Sequence, residues 1–260
     1  DRDYVTRHPH LELVELNSFG CGLDAVVTDQ VQEIMHQRGR LYTCLKIDQS
    51  LNLGAVRIRL RSLKAAIEER GEETGSAKPI EYPKAVFTEA MKRDKDYTIL
   101  APEMSPIHFP IIEAAVQREG YHIEIIPPIH EDIDKGLSCV NNDACYPAII
   151  TIGSLMRALT SGKYDLSKTA VMLSQTGGMC RASNYVGFLH KALDEAGLSD
   201  IPVISLNTHG FEPQPGFHFS LSMGRRMIQA VIYGDALQQC LYRTRPLSLI
   251  HISEPRDYAA

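Results

Sequence analysis

Three of the six cysteines in this 260-residue chain fall between residues 139 and 185, and two of them stand where chemistry is easy to place. Cys145 precedes Tyr146-Pro147 and an apolar-periodic run, Ala148 to Leu159. Proline in a first helical turn is a start signal, so Cys145 is expected at or just before a helix N-terminus. Cys180 follows a strand-like run, Ala170 to Leu173, and the turn Ser174-Gln175-Thr176-Gly177-Gly178, ahead of a helical pattern from Ala182. Both thiols are thus expected on turns that lead into helices. There the free N–H groups and the helix dipole favour a thiolate or another anion.

The two cysteines are 35 residues apart, close to one βαβ unit, so two strand-end turns could face each other across a crevice. Gly177 and Gly178 let backbone approach a bulky anionic group, and an iron–sulfur cluster held by thiolates uses such N–H donors. The opposing reading is a pair of small, buried, inert thiols, since cysteine is among the most buried residue types. Cys21, in Phe19-Gly20-Cys21-Gly22, follows another strand pattern and carries the same two readings. Cys139 is either an extra ligand or a packing residue, and Cys44, in the apolar run Leu41 to Ile47, is expected in a core. Zinc would want close Cys/His pairs, and the sequence has no C-x₂₋₄-C and no paired histidines. Of the ten histidines, His108, His209 and His218 are expected near loops at strand ends. Ser174 to Gly178 also resembles a phosphate-cradling loop of the kind that holds FMN. There is no G-x-G-x-x-G and no P-loop.

These residues need a scaffold, and the pattern supplies one. Strand and helix signals alternate: strands at 11–16, 41–47, 97–100, 121–126, 170–173 and 201–206, helices at 23–36, 53–69, 107–118, 148–159, 182–196 and 221–233. Such alternation predicts an α/β fold, a Rossmann-like, mostly parallel sheet with helices on both faces. Residues 1–70 are expected to be the tail end of a preceding α/β module, 71–95 a linker with a short helix near 86–92, and 96–245 the cysteine-bearing module. Residues 246–260 read as a non-native tail, similar to translated sequencing-adapter sequence, which would make the chain a fragment.

Net charge is −5 and no run of five basic residues occurs, which argues against nucleic acid as a partner. Arg57 to Arg61 alternates charge with apolar residues and reads as a solvated helix face. No apolar run approaches the roughly 18 residues that span a bilayer and no signal peptide opens the chain, so a cytoplasmic protein without a membrane partner is expected.

The segments LNSFGCGLDAVVTDQV, LKIDQSLNLGAVRIRLRSLKAA, YTILAPEMSPIHFPIIEAA, VNNDACYPAIITIG and SQTGGMCRASNY resemble the acyl-CoA dehydratase activase-related proteins. These are relatives of the 2-hydroxyglutaryl-CoA (2-hydroxyacyl-CoA) dehydratase system of anaerobes. The resemblance covers roughly residues 8–245. It implies a [4Fe-4S] cluster and electron transfer driven by actin-like ATPase domains, in the same longer protein or a partner subunit, with acyl-CoA as a further ligand. It also implies that Cys145, in DACYP, and Cys180, in GGMCRAS, ligate one cluster, while Cys21, in FGCG, corresponds to the late cysteine of the preceding module. Gln175, Gly177 and Gly178 would supply close backbone and a polar contact. The late cysteine that partners Cys145 and Cys180 would lie beyond residue 260. The ATPase domains have no counterpart here.

Overall fold

A computed structural model describes residues 4–5, 8, 10–17, 23–47, 53–70, 85–140, 144–175, 180, 182, 185–206 and 214–247. The chain divides into two compact units. The first comprises Asp1–Glu81 together with Asp143–Cys145 and Gly177–Asn184, and the second comprises the remainder.

In the first unit, β1 (Leu13–Asn17) and β2 (Tyr42–Lys46) pair in parallel, with Leu13 opposite Tyr42 and Asn17 opposite Lys46. The crossover between them is α1 (Leu23–Gln37), which buries Val31 and Met35. Parallel neighbours cannot be joined by a tight hairpin, so this helix is the connection the pairing demands. A polar chain runs through this small assembly. Asn17 donates to the Thr28 hydroxyl, Thr28 donates to Glu15 at 2.8 Å, and the Tyr42 hydroxyl donates to the other Glu15 oxygen at 2.8 Å. Arg40, also buried, donates to the backbone carbonyls of His8 and Leu11. Helix α2 (Leu53–Arg70) follows β2. Val56 and Leu63 are half-buried as the pattern requires, but Leu60 and Ile67, expected on the same apolar face, are exposed. Residues 57–61 are all exposed, in keeping with a solvated face.

The second unit begins before the expected boundary at residue 96. Phe87 is fully buried in its core, its N–H donates to Gln214 Oε1 at 2.8 Å, and its carbonyl accepts from Gly216. The short helix expected near 86–92 is α3 (Glu89–Arg93), capped by the Thr88 hydroxyl. Residues 85–95 are therefore part of a domain, anchored by one aromatic side chain rather than strung as a linker.

The sheet of this unit contains β3 (Thr98–Pro102), β4 (Ile123–Ile126), β5 (Thr169–Ser174) and β6 (Val203–Leu206), in the order β4-β3-β5-β6, all parallel. The fold is thus α/β with parallel sheets, of the Rossmann-like kind the alternating pattern predicts. Strand β5 is buried along nearly its whole length, which is why Ala170–Leu173 within it reads as a continuous apolar run rather than an alternating one. One face of the sheet, through Ile99, Ala101, Ile123, Ala170, Met172 and Ile204, meets a cluster completed by Phe87, Tyr97, Val116, Tyr121 and Met223. Helices α4 (His108–Gln117) and α8 (Leu221–Thr244) pack together beside that cluster. Leu100, Val171, Leu173 and Val203 are equally buried at the alternate positions. There α6 (Tyr146–Thr160) and α7 (Tyr185–Glu195) contact the strands.

Sequence pattern and structure differ at two helices. Helix α5 (Glu131–Cys139) has no counterpart among the expected elements. Its signal is three acidic residues, Glu131, Asp132 and Asp134, in the first turn, where they complement the dipole. Helix α8 runs on to Thr244 rather than stopping at Tyr233. Gly234 within it is a packing residue: a Cβ there would lie 2.4 Å from the His108 ring. Gly120 (φ +85°) and Gly197 (φ +69°) do end α4 and α7, in the left-handed conformation that glycine adopts without strain.

The edge strand β4 carries Glu124, which accepts hydrogen bonds from the Lys163 ammonium and the Tyr164 hydroxyl, each at 2.6 Å. Burial pushes the Glu124 carboxyl upward, but these two donors outweigh it and hold the group below its ordinary range.

Candidate functional site

Cys145 is half-buried and stands directly before α6. The helix starts there because Pro147 lies in its first turn, where a missing N–H costs nothing. It continues because Ile149, Ile152, Leu155, Met156 and Leu159 give it a buried stripe. Its direction is set by α5. A Cβ on Gly153 would lie 1.9 Å from the Asp132 carbonyl oxygen, and one on Gly136 would lie 2.1 Å from that of Ile149. The two helices thus cross backbone to backbone. Asp132, with no exposed side-chain surface, accepts from the Arg157 guanidinium and from the Ile129 N–H, so a charge pair locks the same crossing. Arg157 also donates to the Pro127 carbonyl at 3.1 Å.

Cys180 is exposed. It follows β5, the strand beside β3 at the point where the strand order reverses. Gln175, the first residue past β5, is half-buried and accepts from the Ser205 hydroxyl at 3.0 Å, so its side chain is tied to β6. Gly177, Gly178 and Cys21 lie outside the described residues. By the division of the chain, residues 143–145 and 177–184 group with residues 1–81. Cys145 and Cys180 therefore belong to one compact unit.

The other cysteines are elsewhere. Cys44 is buried in β2, Cys139 ends α5 with its sulfur 3.6 Å from the Ser138 hydroxyl, and Cys240 is exposed on α8. Among the described residues no group of three or more His, Cys, Asp and Glu side chains is placed to hold a metal ion.

Two of the histidines expected near loops are described, and both are held by carboxylates. His218 Nε2 lies 2.8 Å from Glu89, on the surface. His108 is the first residue of α4, at the start of the helix expected over 107–118, and sequence reasoning missed its partners. Its Nδ1 lies 2.8 Å from the Ser105 hydroxyl and its Nε2 lies 3.0 Å from Asp235. The nitrogen order is the reverse of a Ser-His-Asp hydrolase, in which serine meets Nε2 and the carboxylate meets Nδ1. Asp235 is also 69% exposed, so the carboxylate is hydrated rather than buried behind the ring. This arrangement fastens α8 to the head of α4. Only the fold brings residue 235 to residue 108, and no local signal could have done so. Nearby, Glu103 follows β3, and burial raises its carboxyl above the ordinary range.

No family model, curated protein or solved structure matches this chain. Among the described residues, no helix is long and apolar enough to cross a membrane.

Proposed function

We propose that this chain is a [4Fe-4S]-binding, low-potential electron-transfer component of a 2-hydroxyacyl-CoA dehydratase or activase-type system. The observation that carries the reading is the placement of Cys145 and Cys180 in one compact unit, the first at the start of a 15-residue helix and the second exposed after the central strand β5. Thiolates suit iron, and a helix N-terminus favours the anionic charge that a thiolate-bound cluster carries. The donor set fits in kind but is incomplete in number. Cys145 and Cys180 supply two sulfurs, and in this reading the third comes from another polypeptide segment, Cys21 corresponding to a ligand of the preceding module. The cluster's chemistry would be one-electron transfer. This chain's own part in the reading is to present the two thiols, and the resemblance adds Gln175, Gly177 and Gly178 as residues that would supply close backbone and a polar contact. The partners in this reading are actin-like ATPase modules and acyl-CoA, and the setting is the cytoplasm of an anaerobe.

Anaerobic reconstitution of the full chain with iron and sulfide tests this, with Cys145→Ala, Cys180→Ala, Cys21→Ala and Cys240→Ala in parallel. Iron and sulfide per chain and the EPR signal after reduction are the readouts. The reading expects a cluster signal that Cys145→Ala and Cys180→Ala each abolish and that Cys240→Ala leaves intact. Iron uptake indifferent to both substitutions, or none at all, would remove the basis for it.

A further inference from the structure

The second unit contains a cavity that the cysteine-based reading does not use. It has a volume of about 180 Å³ and lies between the sheet and the α4–α8 layer, at the carboxyl ends of β3 and β5. Ala101 and Pro102 of β3 and Leu173 and Ser174 of β5 line it there. This is where the strand order reverses, the position at which open α/β sheets collect their ligands. Among the described residues, Ser174 is the only one in the lining with a polar side chain. A polar guest would lose its water partners without replacement, and a water molecule would find too few hydrogen-bond partners.

The walls favour one class of apolar guest. Met172, Met223 and Met227 bring thioethers to the cavity, and Phe109 and Phe217 bring rings. Methionine sulfur makes favourable contacts with aromatic edges, and rings gain from offset or edge-to-face packing with one another. Unbranched methionines also reshape around a guest more readily than Leu or Ile. At the rim, Met104 is 50% exposed and Phe219 is 61% exposed, so flexible and aromatic side chains border the opening. An apolar cavity of about 150 Å³ holds benzene in a well-studied case, so this volume suits a single six-membered ring.

We propose that this cavity is a binding site for an aromatic ring, either a free small arene or the aromatic end of a larger molecule whose polar part stays outside the rim.

The test uses the full chain labelled with ¹³C at the methionine methyls, titrated with benzene and, separately, with cyclohexane, which has similar size but no π-system. Benzene is expected to give saturable ring-current shifts at Met172, Met223 and Met227. Met35, on α1, and Met156, on α6, should not move. Benzene should bind at least about threefold more tightly than cyclohexane, the size of a sulfur–aromatic preference. It should also raise Tm by about 3 °C at ten times its Kd. Ala101→Leu fills the cavity from the sheet and should abolish the shifts. Ile112→Phe fills it from α4 and serves the same purpose should the first variant fold poorly. Equal affinity for the two probes would overturn the aromatic assignment. An absence of methionine shifts up to saturating benzene, or shifts that persist in a folded, filled variant, would overturn the site.

Discussion

The two sheets of this protein bury their connections by opposite means. In the second unit, β3 and β5 are flanked on both sides and their interior is almost wholly apolar, with Leu100, Ala170 and Val171 fully buried. In the first unit, β1 and β2 form a pair that buries Cys44 and Leu45, and the unit also buries the polar Asn17 on β1, Thr28 on α1 and Arg40 ahead of β2. There the crossover helix is held to the strands partly by the chain from Asn17 through Thr28 and Glu15 to Tyr42. An apolar core tolerates no missing volume, whereas a polar chain tolerates no missing partner. The two units should therefore fail in different ways.

Leu100→Ala should cause the largest loss. It opens a void in a strand with neighbours on both sides and should cost about 3–4 kcal/mol, read from urea unfolding. Hydrogen exchange should show the lost protection in the second unit and leave β1 and β2 as they were. Next comes Gly153→Ala. The added methyl collides with the Asp132 backbone and should cost about 3 kcal/mol. Should that variant unfold with unchanged midpoint, the α5–α6 crossing is looser than its geometry implies.

Thr28→Val keeps the shape of the side chain and removes one hydroxyl from the first unit. Leaving Asn17 and Glu15 short of a partner should cost about 1–2 kcal/mol, with the exchange change confined to β1, β2 and α1. A loss as small as a few tenths would show that packing, not the polar chain, holds this unit.

The smallest effect is on pH dependence. Burial, and then the hydrogen bond to Glu15, push the Tyr42 phenol above its ordinary pKa. A group whose folded pKa is raised contributes stability that is fully present below the unfolded pKa and is lost as pH rises. For tyrosine that loss starts near pH 10. The first unit should weaken above that pH, and Tyr42→Phe should flatten the profile there while the second unit keeps its own.

The sequence was most legible where one local rule acted alone. Ala170–Leu173 announced a strand by its continuous apolar run, Pro147 announced the start of α6, and Gly120 and Gly197 announced helix ends. Legibility failed where a residue's role depends on something distant. Phe87 looks like linker until the core that receives it is assembled, and Gly234 looks unremarkable until His108 needs the space. Helix α5 is short and half polar, and its partners, the glycine crossing and the Asp132–Arg157 pair, come from residues distant in sequence. The candidate site divides the same way. Cys145 stands at its expected helix start and Cys180 after its expected strand, whereas the spatial relation of two thiols 35 residues apart is not written in any local pattern.

Among the described residues, strand β4 ends its sheet with one row of backbone donors and acceptors unclaimed by another strand, which is a template for a second chain to add itself. The Glu124–Lys163–Tyr164 cluster sits on that border. An incoming strand would have to displace a bound ammonium and phenol or place its own backbone beside a carboxylate held in its charged form. Neutralising the cluster, as Glu124→Leu would, should convert this border into a seed for fibrillar assembly. On this argument a single acidic residue guards the sheet edge against strand addition, a duty separate from any chemistry at the cysteines.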